Sequence, residues 1–346
     1  MATRREMLAL GAAAAVAAGA GTVFLGARSN SSPDVFIDAA GRAVAPPRRV
    51  SRVFAAGPPA SILLYAVAPE KMAGWAYALS AEQRAFIAPP YNNLPVHGRL
   101  TGRANTANLE QVTAMAPDII LDSGVIDRTY ASLADRVQQQ TGIPYVLLDG
   151  AFEKSAETIR TLGRLVGAEA RAERLAHYAD GVTQAIAALA AAPAGERPRV
   201  YYGRGPAGME TARAGAITTE LIEAIAQNVA AATGEGGLTI ISPEQILAWD
   251  PDVIIAQDRR FRDALLRDSR WVGLKAVRER RVFVQPSLPF GWIDSPPGIN
   301  RLIGVRWLRA ILYGGIEDLP GEVRAFYELF YQVRLSDAQL TELLSG

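Results

Sequence analysis

Arginine and aromatic side chains recur in the loops that follow the predicted strands of this 346-residue chain. A guanidinium group binds a carboxylate or an oxyanion through paired hydrogen bonds, and an aromatic ring supplies flat apolar contact. This combination suits an anionic ligand that also carries apolar surface. The sequence therefore predicts a ligand site with these contact residues: Pro58, Pro59, Trp75, Tyr77, His97, Arg99, Arg103, Ser123, Tyr202, Arg204, Arg259, Phe290, Trp292 and Asp294.

Several of these residues also have an ordinary structural interpretation, which the sequence leaves open. Trp75 could belong to the core at the end of a strand, because large aromatic side chains are mostly buried. Arg99 and Arg103 could be solvated loop charges, and Arg204 could pair with Glu210.

Histidine and cysteine are scarce: the chain contains His97, His177 and no cysteine. His97 either contacts the ligand or makes a hydrogen bond within its loop, whereas His177 lies on a predicted helix. Sites for free zinc or manganese use several histidine and carboxylate ligands. The sequence therefore predicts no directly bound metal and favours a preformed metal complex or an oxyanion. Without cysteine the mature protein has no thiol nucleophile and is not a lipoprotein.

A twelve-residue pattern occurs twice, 134 residues apart. Residues 110–121 read EQVTAMAPDIIL and residues 244–255 read EQILAWDPDVII, with six identical positions. Asn108 and Ser242 stand where helix N-caps are expected, and each short helix ends before a Pro-Asp pair. An apolar run follows each pair, which is typical of a strand buried on both faces of a parallel sheet. Each half of the chain therefore contains a helix–strand unit of the same design.

The surrounding pattern predicts an α/β protein with two Rossmann-like lobes, whose central sheets are mainly parallel and which are joined by a single long α-helix. Apolar strand candidates alternate with helices in both halves. They are Val50–Ala55, Met72–Trp75, Ile119–Leu121, Val146–Leu148, Val200–Tyr202, Val253–Ile255 and Val282–Val284. Residues 169–192 form an alanine-rich run without proline, long enough for a helix of roughly 36 Å. The predicted lobes are residues 48–167 and 194–346, the second including C-terminal helices, with a linker helix at 168–193.

An arginine pair, Arg4-Arg5, precedes a stretch rich in alanine and glycine at the start of the chain. This order is typical of an export signal, and the pair resembles a twin-arginine signal. We therefore predict a signal peptide at residues 1–27, a flexible leader at 28–47 and a periplasmic location. An uncleaved transmembrane anchor is the alternative, because about 20 apolar residues can span a bilayer.

From about residue 48 to 314 the chain resembles the helical-backbone class of periplasmic binding proteins, which serves ABC importers of iron–siderophore, haem and vitamin B12. A further segment, at residues 289–308, resembles a branch that includes molybdate and tungstate binders. The motifs that carry the resemblance are Arg49-Val50 leading to Gly57-Pro58-Pro59, then NLEQVTAMAPDIIL, SPEQILAWDPDVII, AVRERRVFVQP and PFGWIDSPPGINRLIGVRWL.

The resemblance implies a monomeric binding protein that holds a metal chelate, such as an iron–siderophore, in the cleft between its lobes. Molybdate or tungstate, cobalamin and haem are the alternative ligands, and no catalytic cofactor is implied. In this family a glutamate on each lobe pairs with arginines of the ABC permease subunits, and the matching positions are Glu110 and Glu244. The alternative is that both residues only favour the positive end of a helix dipole.

Other functional classes receive little support. The net charge is +1, so no basic surplus indicates nucleic acid. The sequence contains no GxGxxG after the first strand, no P-loop lysine, no HExxH and no GxSxG, which disfavours an enzyme on a Rossmann scaffold. A binding domain that feeds a sensor remains the other rival, and only Glu110 and Glu244 argue against it.

Overall fold

The computed structural model describes residues 35–102, 105–190, 197–314 and 318–345, in which short strands alternate with helices. The strands are β1 Phe36–Ile37, β2 Ala43–Val44, β3 Val53–Ala55, β4 Ile119–Gly124, β5 Tyr145–Asp149, β6 Arg199–Gly203, β7 Glu210–Ala212, β8 Gln227–Asn228, β9 Leu238–Ile240, β10 Val253–Ala256 and β11 Val282–Val284. The α-helices are α1 Pro58–Val67, α2 Ala81–Arg84, α3 Leu109–Met115, α4 Arg128–Thr141, α5 Ser155–Val166, α6 Glu169–Ala190, α7 Glu220–Ile225, α8 Pro243–Trp249, α9 Arg259–Arg267, α10 Lys275–Arg278, α11 Arg301–Tyr313, α12 Leu319–Phe326 and α13 Asp337–Leu344.

Two parallel sheets form the centres of the two halves. The first has the order β3-β4-β5 and the second the order β11-β10-β6-β8. The central strands β4 and β10 are buried along almost their whole length, as their apolar runs predicted. The predicted fold class is confirmed.

The sequence-based strand assignments differ from the structure at several places, and the antiparallel pair β7 and β9 was not predicted. The segment predicted as a strand at Met72–Trp75 forms only single bridges, from Met72 to Val53 and from Trp75 to Val96. The short strand β8 was missed, because its Gln-Asn sequence lacks the apolar residues that indicate a strand.

The beginning of the described chain is more ordered than the predicted flexible leader. Strands β1 and β2 pair as an antiparallel hairpin. Arg42 anchors this hairpin, since its guanidinium donates to Asp38 and to the carbonyl oxygen of Tyr145, both at 2.9 Å. The predicted signal peptide lies outside the described residues. Within the described ranges, no helix is long and apolar enough to cross a membrane.

The long helix α6 connects the two halves. Its 22 residues correspond to roughly 33 Å, and it packs against α5 of the first half and α7 of the second. A buried stripe recurs at helical spacing along it and consists of Ala172, Leu175, Ala176, Ala179, Val182 and Ile186. This stripe explains why the alanine-rich run forms a packed helix, although the domain boundaries around it stay a prediction.

One hydrophobic core runs through both halves. Helix α1 of the first half meets the turn Tyr327–Tyr331, which follows α12 near the end of the chain. The hydroxyl of Tyr65 donates to the carbonyl oxygen of Tyr331 at 2.5 Å. Trp75 packs on Phe290 with 5.9 Å between ring centroids. The C-terminal helices therefore hold the first half as well as the second.

An ion pair between the buried Arg301 and the half-buried Glu220 is a second link between the halves. The guanidinium of Arg301, which is 2% exposed, donates to Glu220 at 2.5 Å and to the carbonyl oxygens of Gly298 and Gly150. The other carboxylate oxygen of Glu220 accepts the backbone N–H of Phe152 at 2.9 Å. Gly150 and Phe152 follow strand β5, so this pair connects the end of the first sheet to helices α7 and α11.

The predicted N-caps are both present. The Asn108 side chain accepts the backbone N–H of Glu110 at 2.8 Å and that of Gln111 at 3.4 Å, at the start of α3. The Ser242 hydroxyl accepts the N–H of Gln245 at 3.3 Å, at the start of α8.

Replacement of the first cap measures its contribution to stability. Asn108→Ala leaves two N–H groups of α3 without their side-chain acceptor, so the free energy of unfolding should fall by about 1 kcal/mol. Urea unfolding measures this difference. Asn105→Ala, at an exposed position just before the helix, is the control and should leave the urea midpoint unchanged. Equal midpoints for both variants would contradict the capping role.

Candidate functional site

A cavity of about 470 Å³ lies at the carboxyl ends of the parallel strands, between the two halves. One wall comes from Pro58 and Pro59 at the start of α1 and from residues 122–125 at the end of β4. The facing wall comes from Arg204 after β6 and from residues 294–297. Ligands of open α/β sheets bind at this edge, so the cavity is the candidate functional site.

Half of the predicted contact residues line this cavity, although they are spread over more than 230 positions of the sequence. They are Pro58, Pro59, Tyr77, Arg99, Ser123, Arg204 and Asp294. The two prolines lie there because they begin the helix that follows β3, and Ser123 lies there because it belongs to the carboxyl end of β4.

The predicted aromatic contacts other than Tyr77 lie in the core instead of at the cavity. Trp75 is 1% exposed and its indole N–H donates to the carbonyl oxygen of Tyr91 at 2.8 Å. Phe290 and Trp292 are fully buried against the C-terminal aromatic rings. The hydroxyl of Tyr202 donates to Gln285 at 3.1 Å. Phe290 and Trp292 point inward because the aromatic rings of Tyr331 and Tyr327 cover them.

The remaining predicted contacts also lie away from the cavity or outside the described residues. A ring nitrogen of His97 is 3.1 Å from the carbonyl oxygen of Ala73. Of the two interpretations of His97, this contact corresponds to the hydrogen bond within its loop. Arg259 is exposed as the first residue of α9. Arg103 lies outside the described residues.

Several polar residues line the cavity without having been predicted. They are Gln83, Thr101, Asp122, Tyr130, Thr218, Gln257 and Ser295. A signal was available only for Asp122, since it is the first polar residue after the apolar run of β4. The others come from loops and helices whose position over the cavity depends on the tertiary fold.

Arg204 is held by acidic partners on the second wall. Its Nε donates to Asp294 at 2.6 Å, and its Nη1 donates to Glu210, as one interpretation of the sequence anticipated. The side chain of Gln257 donates to Asp294 at 3.4 Å and to Ser295 at 2.7 Å. The guanidinium is thus fixed in position, and it still borders the cavity.

Asp122 is a buried acid on the opposite wall. Its carboxylate accepts hydrogen bonds from the hydroxyls of Thr101 and Tyr145, both at 3.1 Å, and from the backbone N–H of Ser123 at 3.0 Å. Burial raises the pKa of Asp122 to about 6, and the hydrogen bonds from Tyr145, Ser123 and Thr101 oppose this rise.

The tyrosines of the cavity are neutral hydrogen-bonding groups. Burial raises the pKa of Tyr77 and of Tyr130, so both stay protonated near neutral pH. Among the residues that the structure describes, no group of three histidine, aspartate or glutamate side chains could hold a metal ion. The cavity can therefore offer an apolar wall, two guanidinium groups and several hydroxyls to a ligand.

Glu110 and Glu244 lie away from the cavity, on the surface. Each is exposed in the first turn of a short helix, α3 or α8. A hydrogen bond from the hydroxyl of Ser242 lowers the pKa of Glu244. Both side chains are accessible to a partner, with one on each half of the molecule.

The profile of the family described as periplasmic binding protein matches residues 66–288, which is well over half of the chain. The chain belongs to this family. Its members are substrate-binding transport proteins that work with ABC permease subunits, and they are not enzymes. The family predicted from the sequence motifs is confirmed.

Individual relatives of this binding protein agree with the assignment. The molybdate-binding protein MolA of Haemophilus influenzae is 28% identical over 275 residues, which is 71% of this chain and 75% of that protein. An ABC transporter solute-binding protein from Sulfurospirillum deleyianum has a solved structure with a TM-score of 0.79 and 28% identity, covering 90% of this chain and 99% of that one. A periplasmic solute-binding protein from Veillonella parvula shares the fold, with a TM-score of 0.73 and 23% identity over 90% of this chain and 96% of that one.

Proposed function

We propose that this binding protein captures an anionic metal chelate with an organic shell and delivers it to an ABC permease. The size and lining of the cavity carry the proposal. Its volume of about 470 Å³ lies within the range of roughly 300–1,000 Å³ for small-molecule sites. A water molecule occupies about 30 Å³ in the liquid, and a four-oxygen anion is only a few times larger. A chelate therefore fills the space better.

The start of helix α1 also favours an organic surface. Helix N-termini bind oxyanions through free backbone N–H groups, but the first two residues of α1 are Pro58 and Pro59, which have none. Both prolines line the cavity. They present apolar ring surface at the position where a small oxyanion would otherwise find two donors.

The charge of the ligand is inferred mainly from Arg99, while Arg204, which is already paired with Asp294 and Glu210, borders the cavity from the opposite half. Guanidinium groups recognise carboxylates and other oxyanions through paired hydrogen bonds. Tyr77 and Tyr130 also line the cavity and contribute neutral hydroxyl groups. A negatively charged complex can therefore contact both halves at once, which links capture to a defined arrangement of the lobes.

Molybdate is the second candidate, and the similarity to MolA favours it. That relative is described as molybdate-binding and aligns with 71% of this chain. A bare tetrahedral anion would occupy a small part of the cavity, so water molecules would have to fill the rest. The two candidates therefore differ in how much of the apolar wall the ligand covers.

A melting experiment distinguishes the candidates. Protein freed of bound ligand by unfolding and refolding is heated with ferric citrate, a ferric catecholate, cyanocobalamin, haemin, molybdate or tungstate. A ligand at 100 times its Kd stabilises the folded state by about 2.7 kcal/mol, so a cognate chelate should raise the melting temperature by several degrees. Arg99→Met should lose this shift, whereas Arg260→Met, at an exposed arginine outside the cavity, should retain it. A shift with molybdate alone would favour the second candidate, and no shift with any compound would contradict both.

A further inference from the structure

Asp122 is the one buried acid of the cavity whose recorded partners are all neutral. Asp294, the other lining aspartate, is paired with Arg204. The hydrogen bonds that the structure records for the Asp122 carboxylate come from two hydroxyls and one backbone N–H. The side chain is 3% exposed, and it nevertheless borders the space that the ligand would occupy.

The charged and titratable groups around Asp122 do not neutralise it directly. Tyr145 on β5 and Tyr130 on α4 are neutral near pH 7, because burial raises the pKa of both phenols. Arg42 reaches the backbone of Tyr145 and is already paired with Asp38 and Asp135. Helix α1 contributes no charged side chain.

The charged residues that line the cavity, within the described part of the chain, are of both signs. They are two arginines, Arg99 and Arg204, and two aspartates, Asp122 and Asp294. Loss of the proton from Asp122 adds one negative charge to its wall of the cavity, while Arg204 on the facing wall is already offset by Asp294 and Glu210. An ionised Asp122 therefore repels an anion in the cavity, and protonation of its carboxyl group removes that repulsion.

We propose that Asp122 couples anion binding to the uptake of one proton, so that its neutral carboxyl group accepts the ligand and its ionised form repels it. The proton on the carboxyl also supplies a donor, since a neutral carboxylic acid can give a hydrogen bond to a ligand oxygen. This inference rests on the proposed function, because it requires an anionic ligand in the cavity. The affinity of the cavity for an anionic ligand thereby depends on pH as well as on the shape of the ligand.

The direction of the effect follows from linkage. Burial places the pKa of Asp122 at about 6 in the empty protein, so the carboxyl group is mostly ionised above this pH. A ligand that binds the protonated form must then draw a proton from solution. Its Kd should rise by about tenfold for each pH unit above 6.5 and level off below pH 5.5.

The test is the pH profile of Kd from 5.5 to 8, measured by titration calorimetry with ferric citrate and with molybdate as probes. Asp122→Asn keeps a neutral donor at this position, so its Kd should stay within about twofold across the range and match the value of the parent at low pH. Changes in the chemical form of each probe with pH affect both proteins alike. They therefore cancel in the comparison of the two profiles.

Two further variants separate proton coupling from a structural role. Asp149→Asn removes an equal charge at the end of β5, outside the residues that line the cavity, and should keep the pH slope of the parent. Tyr145→Phe removes a hydrogen bond that lowers the pKa of Asp122, so the loss of affinity should begin at a higher pH. Circular dichroism confirms that each variant is folded.

The possible outcomes each decide the proposal. A steep profile in the parent and a flat one in Asp122→Asn support proton coupling. A flat profile in the parent, with measurable binding, contradicts it while leaving the proposed function intact. If the folded protein binds neither probe and no compound of the wider chelate panel at any pH, the result contradicts both the proposed function and this inference.

Discussion

Replacing Glu110 and Glu244 together with alanine is expected to abolish ligand delivery while leaving ligand binding unchanged. Both side chains are exposed, one on each half, in the first turns of α3 and α8. A roughly two-fold permease could engage both with equivalent basic pockets. Charge pairs desolvated at an interface are worth more than exposed pairs. Loss of both should therefore weaken docking severely, whereas the cavity lies elsewhere and should keep its affinity.

The measurement compares two activities of one preparation. Ligand affinity is determined by calorimetry, and stimulation of ATP hydrolysis by the cognate permease is determined in proteoliposomes. The double variant should bind ligand like the parent and stimulate ATP hydrolysis by less than about a tenth as much. Charge reversal to lysine should be at least as severe.

A matched control uses two exposed glutamates on other helices. The double variant Glu157→Ala, Glu342→Ala removes the same total charge from α5 and α13 and should transport normally. Normal ATP hydrolysis with folded Glu110→Ala, Glu244→Ala would show that these residues serve only the helix starts, where acidic side chains favour the dipole.

The largest loss of stability is expected from Arg301→Ala. This guanidinium is 2% exposed and bonds Glu220, Gly150 and Gly298. Its removal leaves a carboxylate and three carbonyl groups, including that of Ile217, without this donor, and the loss of a buried ion-pair partner costs about 3–5 kcal/mol. The melting temperature should fall by roughly 5–15 °C. Scanning calorimetry measures this change directly.

Two further variants identify the cause of the loss of stability. Arg301→Lys keeps the charge but cannot bond several acceptors in one plane, so its loss should be intermediate. Arg260→Ala removes an exposed arginine whose partner, Asp258, is its near neighbour in sequence, and should change the melting temperature by less than about 1 °C. If Arg301→Ala melts like the parent, this ion pair contributes nothing to holding the halves together.

Local signals in the sequence were sufficient for the framework of the fold. The strands β4 and β10 and their preceding helices follow from cap residues, Pro-Asp pairs and apolar runs, all of which act over a few neighbouring residues. The cavity was harder to predict. A position just after a strand indicated Ser123 and Arg204 correctly as lining residues, because a strand end fixes where the chain leaves the sheet.

The prediction that the aromatic loop residues Phe290 and Trp292 line the cavity was wrong for a physical reason. Both residues also lie in a loop that borders the cavity, but their side chains turn toward Tyr331 and Tyr327, which follow 41 and 35 residues later in the sequence. The direction of a loop side chain depends on what the distant chain provides as apolar partner surface. Residue type and position alone carry no information about this choice. Asp122 was overlooked although it is the first polar residue after the apolar run of β4.

The return of the C-terminal helices onto α1 limits how such proteins can be recombined. Each sheet is built from a continuous stretch of sequence, which suggests that a lobe could be exchanged with that of a relative by a single crossover in α6. The aromatic contacts of Tyr65 and Trp75 with Tyr331 and Phe290 cross that boundary, however. A chimera would therefore juxtapose two surfaces that did not evolve together, and the smallest portable unit is the first lobe together with the last part of the chain.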